Sequence, residues 1–226
     1  MHGNRKYVLQ KSIIYLLSPL KKERAISLPM ISFSLVTQSI NLLKFDMLMF
    51  TSKQAVISTN RLNKDWRHYP CLAIGKATKN KIKELGGEVF YAPKSFYGEA
   101  LAKDIKEKFS DKKILYLRPK EVSFNSKSYL KEQGIELEEQ IIYETFCIKY
   151  LEDKKPKENA IIIFTSPSTI KCFFENFEWH DSYVAVVIGK ASQKKLPDYC
   201  NYVVSDVPLI DFCLKKALEI AKKRRN

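Results

Sequence analysis

The sequence predicts an α/β protein of two similar domains, each a parallel sheet flanked by helices, joined by a two-stranded antiparallel linker. Three observations lead to this prediction. Short apolar runs typical of buried strands alternate along the chain with amphipathic segments typical of helices. Two motifs occur twice at one constant spacing, which indicates a duplicated domain of ordinary size. The chain has 226 residues, of which 45% are hydrophobic, and this is enough for two packed cores.

The duplication is visible in two motifs that keep the same distance from each other in both copies. Phe50-Thr51-Ser52 reappears as Phe164-Thr165-Ser166, and Ile74-Gly75-Lys76-Ala77-Thr78 reappears as Ile188-Gly189-Lys190-Ala191-Ser192. Each second copy lies 114 residues after the first. Two matches with a common offset rarely arise by chance, and so long a period is outside the roughly 20–50 residues of solenoid repeats.

Apolar runs and the turn residues between them predict ten strands. A continuous run such as 45–50 or 160–164 is typical of a strand that is buried on both faces of a parallel sheet. Alternation of apolar residues with serine over 31–35 indicates instead a half-buried or exposed strand. The predicted strands are 13–17, 26–36, 45–50, 71–74, 88–92, 114–117, 135–150, 160–164, 183–188 and 202–205.

Capping residues and amphipathic spacing predict the helices between these strands. Ser52 and Ser166 stand where an N-cap hydroxyl accepts a hydrogen bond from the first helical turn, and Pro167 suits the first helical position. Ser192 is expected to cap a short helix, and Gly134 to close one. The predicted helices begin after Ser52 and after Ser192, and span 79–85, 98–109, 126–133, 166–177 and 208–223.

The position of the first strand, ahead of the alternating part of the chain, favours a discontinuous first domain. We predict that residues 1–26 and 151–226 form this domain and that residues 38–140 form the second. The stretches 27–37 and 141–150 are then two linker strands that cross between the domains and pair with each other. This arrangement requires 13–17 to contact the C-terminal third of the chain rather than its middle.

Composition restricts the functional classes that this chain can belong to. The five cysteines and three histidines are widely spaced and include no CxxC pair, which argues against a zinc site and against a disulfide framework. We therefore expect reduced, buried thiols. No stretch approaches the roughly 18 apolar residues of a membrane span, and we expect a cytoplasmic protein. The net charge of +14 indicates a solvated basic surface or a polyanionic partner, either nucleic acid or a small ligand with many carboxylates or phosphates.

Hydroxyl residues recur where predicted strands end and helices begin. In an open parallel sheet, ligands bind beyond the carboxyl ends of the strands, where free helix amides attract anions. A single such residue is more often a plain helix cap. Four loops placed symmetrically in two domains, however, predict a cleft with anion-binding walls. The residues concerned are Thr51, Ser52, Thr78, Thr165, Ser166, Ser168 and Ser192.

Two further residues are candidates for a site. Arg118, at a predicted strand end, can hold a carboxylate in a bidentate pair or be an ordinary surface cation. Tyr143, in the predicted linker, is the best candidate for a hydroxyl that assists a reaction, with packing and a local hydrogen bond as the competing interpretation. The sequence lacks GxGxxG, GxxxxGK[ST] and GxSxG, and no carboxylate pair suggests acid–base catalysis.

Taken together, the motifs resemble the uroporphyrinogen-III synthase family. The resemblance rests on the two repeated motifs and on Leu115-Tyr116-Leu117-Arg118 and Ile142-Tyr143-Glu144-Thr145, with further matches at Leu85-Gly86, Pro93, Glu99-Ala100-Leu101-Ala102 and Gly134. The chain also departs from the family pattern. Ser18-Pro19 stands where Arg-Pro is frequent, Pro119 replaces a glycine, Ser192 replaces a threonine, and the helix after the first strand is reduced to 21–25.

The resemblance implies two α/β domains with an active site in the cleft between them, and the conversion of hydroxymethylbilane to uroporphyrinogen III. Water is lost, the last pyrrole ring is inverted and the macrocycle closes, a hydro-lyase reaction without metal or cofactor. Tyr143 corresponds to a tyrosine suspected of helping the hydroxyl leave. The expected partner is this linear polycarboxylate, with no nucleic acid and no membrane, and we expect a monomer. The alternative is a two-lobed protein that binds polyanions or nucleic acid without catalysis.

Overall fold

The computed structural model describes residues 12–94 and 98–224. The chain divides into two compact units. The terminal unit contains the chain up to Ser32 and from Phe146 onward, and the central unit is Phe33–Thr145. Residues 1–11 of the predicted first domain lie outside the described residues.

Strands and helices alternate as the sequence predicts, which confirms the α/β class with parallel sheets flanked by helices. The strands are β1 (Ile14–Leu16), β2 (Ile26–Ser27), β3 (Ile31–Leu35), β4 (Met47–Phe50), β5 (Pro70–Ala73), β6 (Glu88–Tyr91), β7 (Ile114–Pro119), β8 (Glu138–Cys147), β9 (Ile161–Phe164), β10 (Val184–Val187) and β11 (Tyr202–Val204). The helices are α1 (Lys53–Leu62), α2 (Lys76–Glu84), α3 (Gly98–Lys108), α4 (Ser126–Glu132), α5 (Pro167–Phe174), α6 (Lys190–Gln193) and α7 (Ile210–Lys223). Two short 3-10 helices, Lys64–His68 and Glu152–Lys154, come in addition to the predicted elements.

The terminal unit is built on a parallel sheet in the order β11-β10-β9-β1-β2. Strand β1 pairs with β9, with Ile14 opposite Ile161, so the first strand contacts the C-terminal third of the chain. All four residues of β9 are buried, as expected of a strand covered on both faces. Helix α5 contributes to the core on one face of this sheet, and α7 to the core on the other.

The central unit contains the sheet β3-β8-β7-β4-β5-β6, in which the five strands from β8 to β6 run parallel. Strand β3 runs antiparallel to β8, because the amide of Val36 donates to the carbonyl of Ile142 while the amide of Ile148 donates to that of Met30. The chain passes between the two units within β3 and within β8. Four of the five β3 residues are exposed, as the serine alternation predicts.

The two copies of each motif occupy matching places in the two sheets. The first motif connects β4 to α1 in the central unit and β9 to α5 in the terminal unit, and the second connects β5 to α2 and β10 to α6. The orders β6-β5-β4-β7-β8 and β11-β10-β9-β1-β2 correspond strand by strand. The terminal unit therefore has the architecture of the central unit, with its last two strands supplied by the beginning of the chain.

The prediction of a helix at 21–25 is wrong. The segment after β1 is a turn closed by a bridge between Lys22 and Ala25, with Arg24 at φ +66°, and it leads directly into β2. Strand β2 pairs in parallel with β1, and a parallel crossover that includes a helix needs about a dozen residues or more. The interval from Leu16 to Ile26 is too short for one. The stretch 26–36 is accordingly two strands, β2 and β3, rather than one.

One 3-10 helix places Trp66 in the core of the central unit, where it is fully buried beside Phe50 with the rings edge to face. Gly87, between α2 and β6, lies against this indole. A Cβ atom at Gly87 would stand 2.3 Å from the Trp66 ring, so the position has room only for glycine.

The cysteines correct part of the expectation from composition. Cys147, at the end of β8, and Cys172, on α5, form a disulfide with 5.0 Å between their Cα atoms. Nothing in the sequence indicated this pairing, because it depends on how the strand end meets the helix. Cys71, Cys200 and Cys213 are free and buried, which confirms the prediction for these three. Burial raises the pKa of Cys71 to about 12, so its thiol is unreactive at neutral pH.

Candidate functional site

Two of the strand-to-helix loops begin their helices with the predicted serines. Ser52, in extended backbone conformation after β4, accepts a hydrogen bond from the amide of Ala55 at 3.1 Å. Ser166, after β9, accepts one from the amide of Thr169 at 3.2 Å. The Ser166 amide in turn donates to Oγ1 of Thr169, so that this copy forms a complete capping box. The N-cap predictions for both serines are confirmed.

In the central unit, the same loop holds two buried tyrosines by their hydroxyl groups. The Oη atom of Tyr143, on β8, lies 2.9 Å from Oγ of Ser52. The Oη atom of Tyr116, on β7, lies 2.8 Å from Oγ1 of Thr51. The fold thus brings three predicted residues, Thr51, Ser52 and Tyr143, to the carboxyl edge of one sheet. Tyr116 belongs to a segment that the sequence analysis matched to the family, but it was not among the predicted site residues.

The environment keeps both phenols protonated. Burial raises the pKa of Tyr143 above its usual value of 10, against a smaller lowering by the hydrogen bond to Ser52. Burial raises the pKa of Tyr116 to about 12 in the same way, with Thr51 opposing it. A phenol with a raised pKa is neutral at pH 7 and can donate a hydrogen bond or a proton. Tyr143 is 4% exposed, and its ring packs edge to face on Phe33 with centroids 5.7 Å apart.

The corresponding edge of the terminal unit carries the other predicted hydroxyls, but no matching tyrosine among residues 12–32 and 146–224. Thr165 donates to the carbonyl of Leu17 at 3.4 Å, across the boundary between β9 and β1. Ser168 lies half-buried in the first turn of α5. The strand that corresponds to β8 is β2, which consists of Ile26 and Ser27. Among the described residues, only the central unit therefore presents a tyrosine hydroxyl next to a helix start.

Thr78 and Ser192 do not cap their helices, which corrects the prediction for Ser192 and the start of the helix predicted at 79. The N-caps are Gly75 and Gly189, and neither helix start has a side-chain cap. Gly75 has φ +79°, a left-handed conformation that glycine adopts without strain. Thr78 and Ser192 lie in the first turns and are 3% and 2% exposed. The amides at these two helix starts thus have no side-chain acceptor, while the two hydroxyl residues are buried.

Arg118 is already engaged within the sheet. Its Nε atom donates to Glu139 at 3.1 Å, and its Nη1 atom donates to the carbonyls of Pro119 and Lys120. The contact with Glu139 joins β7 to β8 near the place where their register shifts, between Arg118 and Pro119. Of the three guanidinium nitrogens, Nη2 is the one without a hydrogen-bond partner among the described residues. Arg118 thus supports the strand pair that carries Tyr143, and one edge of its guanidinium is left for a ligand.

Three exposed lysines at the same loops were missed by the sequence analysis. Lys53, Lys76 and Lys190 are each the first residue of a helix, at α1, α2 and α6. A cation at a helix N-terminus opposes the helix dipole, so a lysine there is unfavourable without a nearby anion. None of the three forms an ion pair with another residue of segments 12–94 and 98–224. For Lys76 and Lys190, the repeated Gly-Lys-Ala was the available signal in the sequence.

Across residues 12–94 and 98–224, no group of three or more His, Cys, Asp or Glu side chains lies close enough together to hold a metal ion. Among those same residues, no helix combines the length and the apolar character needed to cross a membrane.

Comparisons with known proteins agree with this architecture. The family described as uroporphyrinogen-III synthase HemD matches residues 20–213. The crystal structure of uroporphyrinogen-III synthetase from Helicobacter pylori 26695 is similar, with a TM-score of 0.74 and 26% identity over 92% of this chain and 99% of that one. A mutant uroporphyrinogen III synthase from Thermus thermophilus shares the fold, with a TM-score of 0.54 and 12% identity over 87% and 88% of the two chains. A search of curated proteins gave no match.

Proposed function

Because the chain belongs to the uroporphyrinogen-III synthase family, we propose that it closes hydroxymethylbilane to uroporphyrinogen III. Membership of this family makes it an enzyme of heme biosynthesis. The reaction removes water, inverts the last pyrrole ring and closes the macrocycle, which we assign to the hydro-lyases. The observation that carries the proposal from the structure is the hydroxyl pair of Tyr143 and Ser52 at the carboxyl edge of the central sheet.

The charge of the substrate fits the loops at both sheet edges. Hydroxymethylbilane carries eight carboxylates, and helix N-termini with exposed amides and hydroxyls bind such groups. In the proposal, Thr51, Ser52, Thr165, Ser166 and Ser168 contact carboxylates directly or through the adjacent amides. Thr78 and Ser192, in the first helical turns, are proposed to contact carboxylates together with the amides of their uncapped loops. Arg118, with its free edge, and the lysines at positions 53, 76 and 190 supply positive charge to the same surfaces.

Tyr143 is the proposed group that assists departure of the hydroxyl. Its phenol is neutral at physiological pH, and it can donate a hydrogen bond or a proton to the oxygen of the hydroxymethyl group as the carbon–oxygen bond breaks. The electron pair of that bond leaves with the oxygen as water. Ser52 holds the phenol in position and accepts from the α1 amide at the same time.

Most of the catalysis is then an effect of orientation. The substrate can close on its own to the wrong isomer once its hydroxyl has left. Binding the carboxylates in one arrangement brings the two ends of the chain together in the geometry that favours rearranged closure, and such positioning is worth several orders of magnitude in rate. No metal or cofactor has a role in this scheme.

One assay tests the proposal. The protein is incubated with enzymatically generated hydroxymethylbilane, and the type I and type III isomers are separated, with a reaction without protein as the baseline for spontaneous closure. We expect the type III isomer to dominate. A product distribution identical to the baseline would refute the function. Cytoplasmic location, a monomeric state and the absence of nucleic-acid and membrane partners stay predictions.

A further inference from the structure

The edge strand β3 exposes large apolar side chains that the core does not use. Phe33 is 42% exposed and Leu35 is 39% exposed, and they alternate with Ser32 and Ser34. Residues two apart in a strand share a face, so Phe33 and Leu35 lie on the same side of β3. Exposed apolar residues on an edge strand are usually avoided, because they invite aggregation. Their presence here needs a reason.

Phe33 lies directly against the proposed catalytic tyrosine. The two rings pack edge to face with centroids 5.7 Å apart, yet Tyr143 is only 4% exposed while Phe33 keeps two-fifths of its surface open. A ligand that reaches the Tyr143 hydroxyl therefore has Phe33 beside it. The pair lies wholly within the central unit, as do Ser52 and the start of α1.

The substrate has a matching feature that the anion-binding loops do not address. Besides its carboxylates it consists of four flat pyrrole rings. When the hydroxyl departs, the electron pair of the carbon–oxygen bond leaves with the oxygen, which takes a proton to become water. The pyrrole that carried the hydroxymethyl group is left with a positive charge spread over its methylene carbon and ring nitrogen. The face of an aromatic ring attracts a cation within about 6 Å, more strongly where water is excluded.

We propose that Phe33 packs against the pyrrole ring that carries the hydroxymethyl group and stabilises the cation that forms on it, with Leu35 extending the apolar surface. This inference rests on the proposed function. Tyr143 and Phe33 then act on opposite charges of one step, since the tyrosine serves the departing oxygen and the phenylalanine the ring left behind. The positive charge leaves this ring when its methylene carbon bonds to the last pyrrole ring, and it disappears when that ring loses a proton from the carbon at which the macrocycle closes.

The test separates aromatic character from apolar area. Phe33→Leu keeps an apolar side chain but removes the ring, and Phe33→Trp restores one with a stronger attraction for cations. Phe90→Leu is the matched control, because Phe90 is a 56% exposed phenylalanine on β6, the opposite edge strand of the same sheet. For each variant, kcat, KM, the ratio of type III to type I isomer and the melting temperature are measured with hydroxymethylbilane.

We expect Phe33→Leu to lower kcat by about 3- to 30-fold with KM within about twofold, and Phe33→Trp to recover most of the loss. Phe90→Leu should keep the wild-type kcat. An unchanged kcat in Phe33→Leu overturns the inference, as does a rise in KM alone or an equal loss in the leucine and tryptophan variants. If only the role of Phe33 is wrong, the wild-type protein still forms the type III isomer. If the proposed function is wrong, the wild-type protein itself does not form it above the spontaneous baseline.

Discussion

Replacing Tyr143 by phenylalanine removes one oxygen atom from the candidate site and leaves the ring that packs on Phe33. The lost hydroxyl is the one that lies 2.9 Å from Ser52. Ser52 keeps its bond from the amide of Ala55, so the start of α1 stays capped. Loss of one neutral hydrogen bond costs about 1 kcal/mol of unfolding free energy. In a domain of roughly 100 residues this lowers the melting temperature by about 4–8 °C, and the variant should fold.

The effect on catalysis should be much larger than the effect on stability. A general acid contributes about 10²–10⁴-fold to a rate. Burial raises the pKa of Tyr143, which makes it a weaker acid than a free phenol, so we expect a loss near the lower limit, about 10²-fold in kcat. The reaction should not be abolished, because the loops that we propose to bind the carboxylates are unchanged and still orient the substrate.

Tyr116→Phe is the matched variant for this measurement. It removes a hydroxyl that is equally buried and paired, 2.8 Å from Thr51, on the neighbouring strand β7. Its melting temperature should fall about as much as that of Tyr143→Phe, but its kcat should change by less than about threefold. Initial rates of type III formation under saturating hydroxymethylbilane give both values. Equal kcat losses in the two variants, or full activity in Tyr143→Phe, would remove Tyr143 from the mechanism.

The pH dependence provides an independent measurement on the wild-type protein. Tyr143 acts in its protonated form, and its raised pKa means that the proton is retained up to pH values above 10. Activity due to this group is therefore complete at lower pH and is lost only as the pH rises through the pKa of the folded protein. We expect no fall of kcat attributable to Tyr143 between pH 7 and 9. A descending limb in that range that disappears in Tyr143→Phe would contradict this reasoning.

Three further outcomes follow from the structure. Gly87→Ala should lower the melting temperature by several degrees in thermal unfolding, because the new methyl group overlaps the buried indole and overpacking costs about 1–3 kcal/mol; an unchanged value would show that the core yields there. Lys76→Glu should raise KM for hydroxymethylbilane about tenfold, whereas Lys83→Glu at the other end of α2 should not, since only the first lies at the carboxyl edge of the sheet. Reduction of the Cys147–Cys172 disulfide should destabilise the protein by roughly 3 kcal/mol because its loop spans 25 residues, and Cys147→Ser should make the stability insensitive to reductant.

The regular parts of the fold could be predicted because they depend on local pattern. Continuous apolar runs identified buried strands such as β4 and β9, and the serines at 52 and 166 marked the starts of α1 and α5. The prediction for Ser192 was wrong because serine is a common N-cap residue and Ser192 stands close to the start of a helix. The N-cap is Gly189, which has no side chain to form a capping hydrogen bond, so the sequence did not mark it as the start of the helix.

The site could be predicted as residue types but not as contacts. The sequence marked Thr51, Ser52 and Tyr143 separately, yet it contained nothing to show that Ser52 and Tyr143 share a hydrogen bond across 91 positions. The same holds for Phe33. Its alternation with serine indicated a half-buried or exposed strand, but not that its ring packs on Tyr143. Arg118 was recognised as a cation at a strand end, but its ion pair with Glu139 depends on the register of β7 and β8. Pairings of this kind are set by sheet order, which local periodicity does not encode.

The two copies of the first motif, between β4 and α1 and between β9 and α5, differ in the contacts of their N-cap serines. In the terminal unit, the third residue of α5 is Thr169, and its hydroxyl completes the capping box, so that Ser166 is occupied on both sides by its own helix. In the central unit that residue is Ala55, which has no hydroxyl to accept from the Ser52 amide, and the Oγ atom of Ser52 is also paired with the Tyr143 hydroxyl. In both copies the serine Oγ atom accepts from the amide of the third helical residue. What distinguishes the central loop is therefore the tyrosine that β8 places against Ser52, and we predict that this loop holds the reacting group.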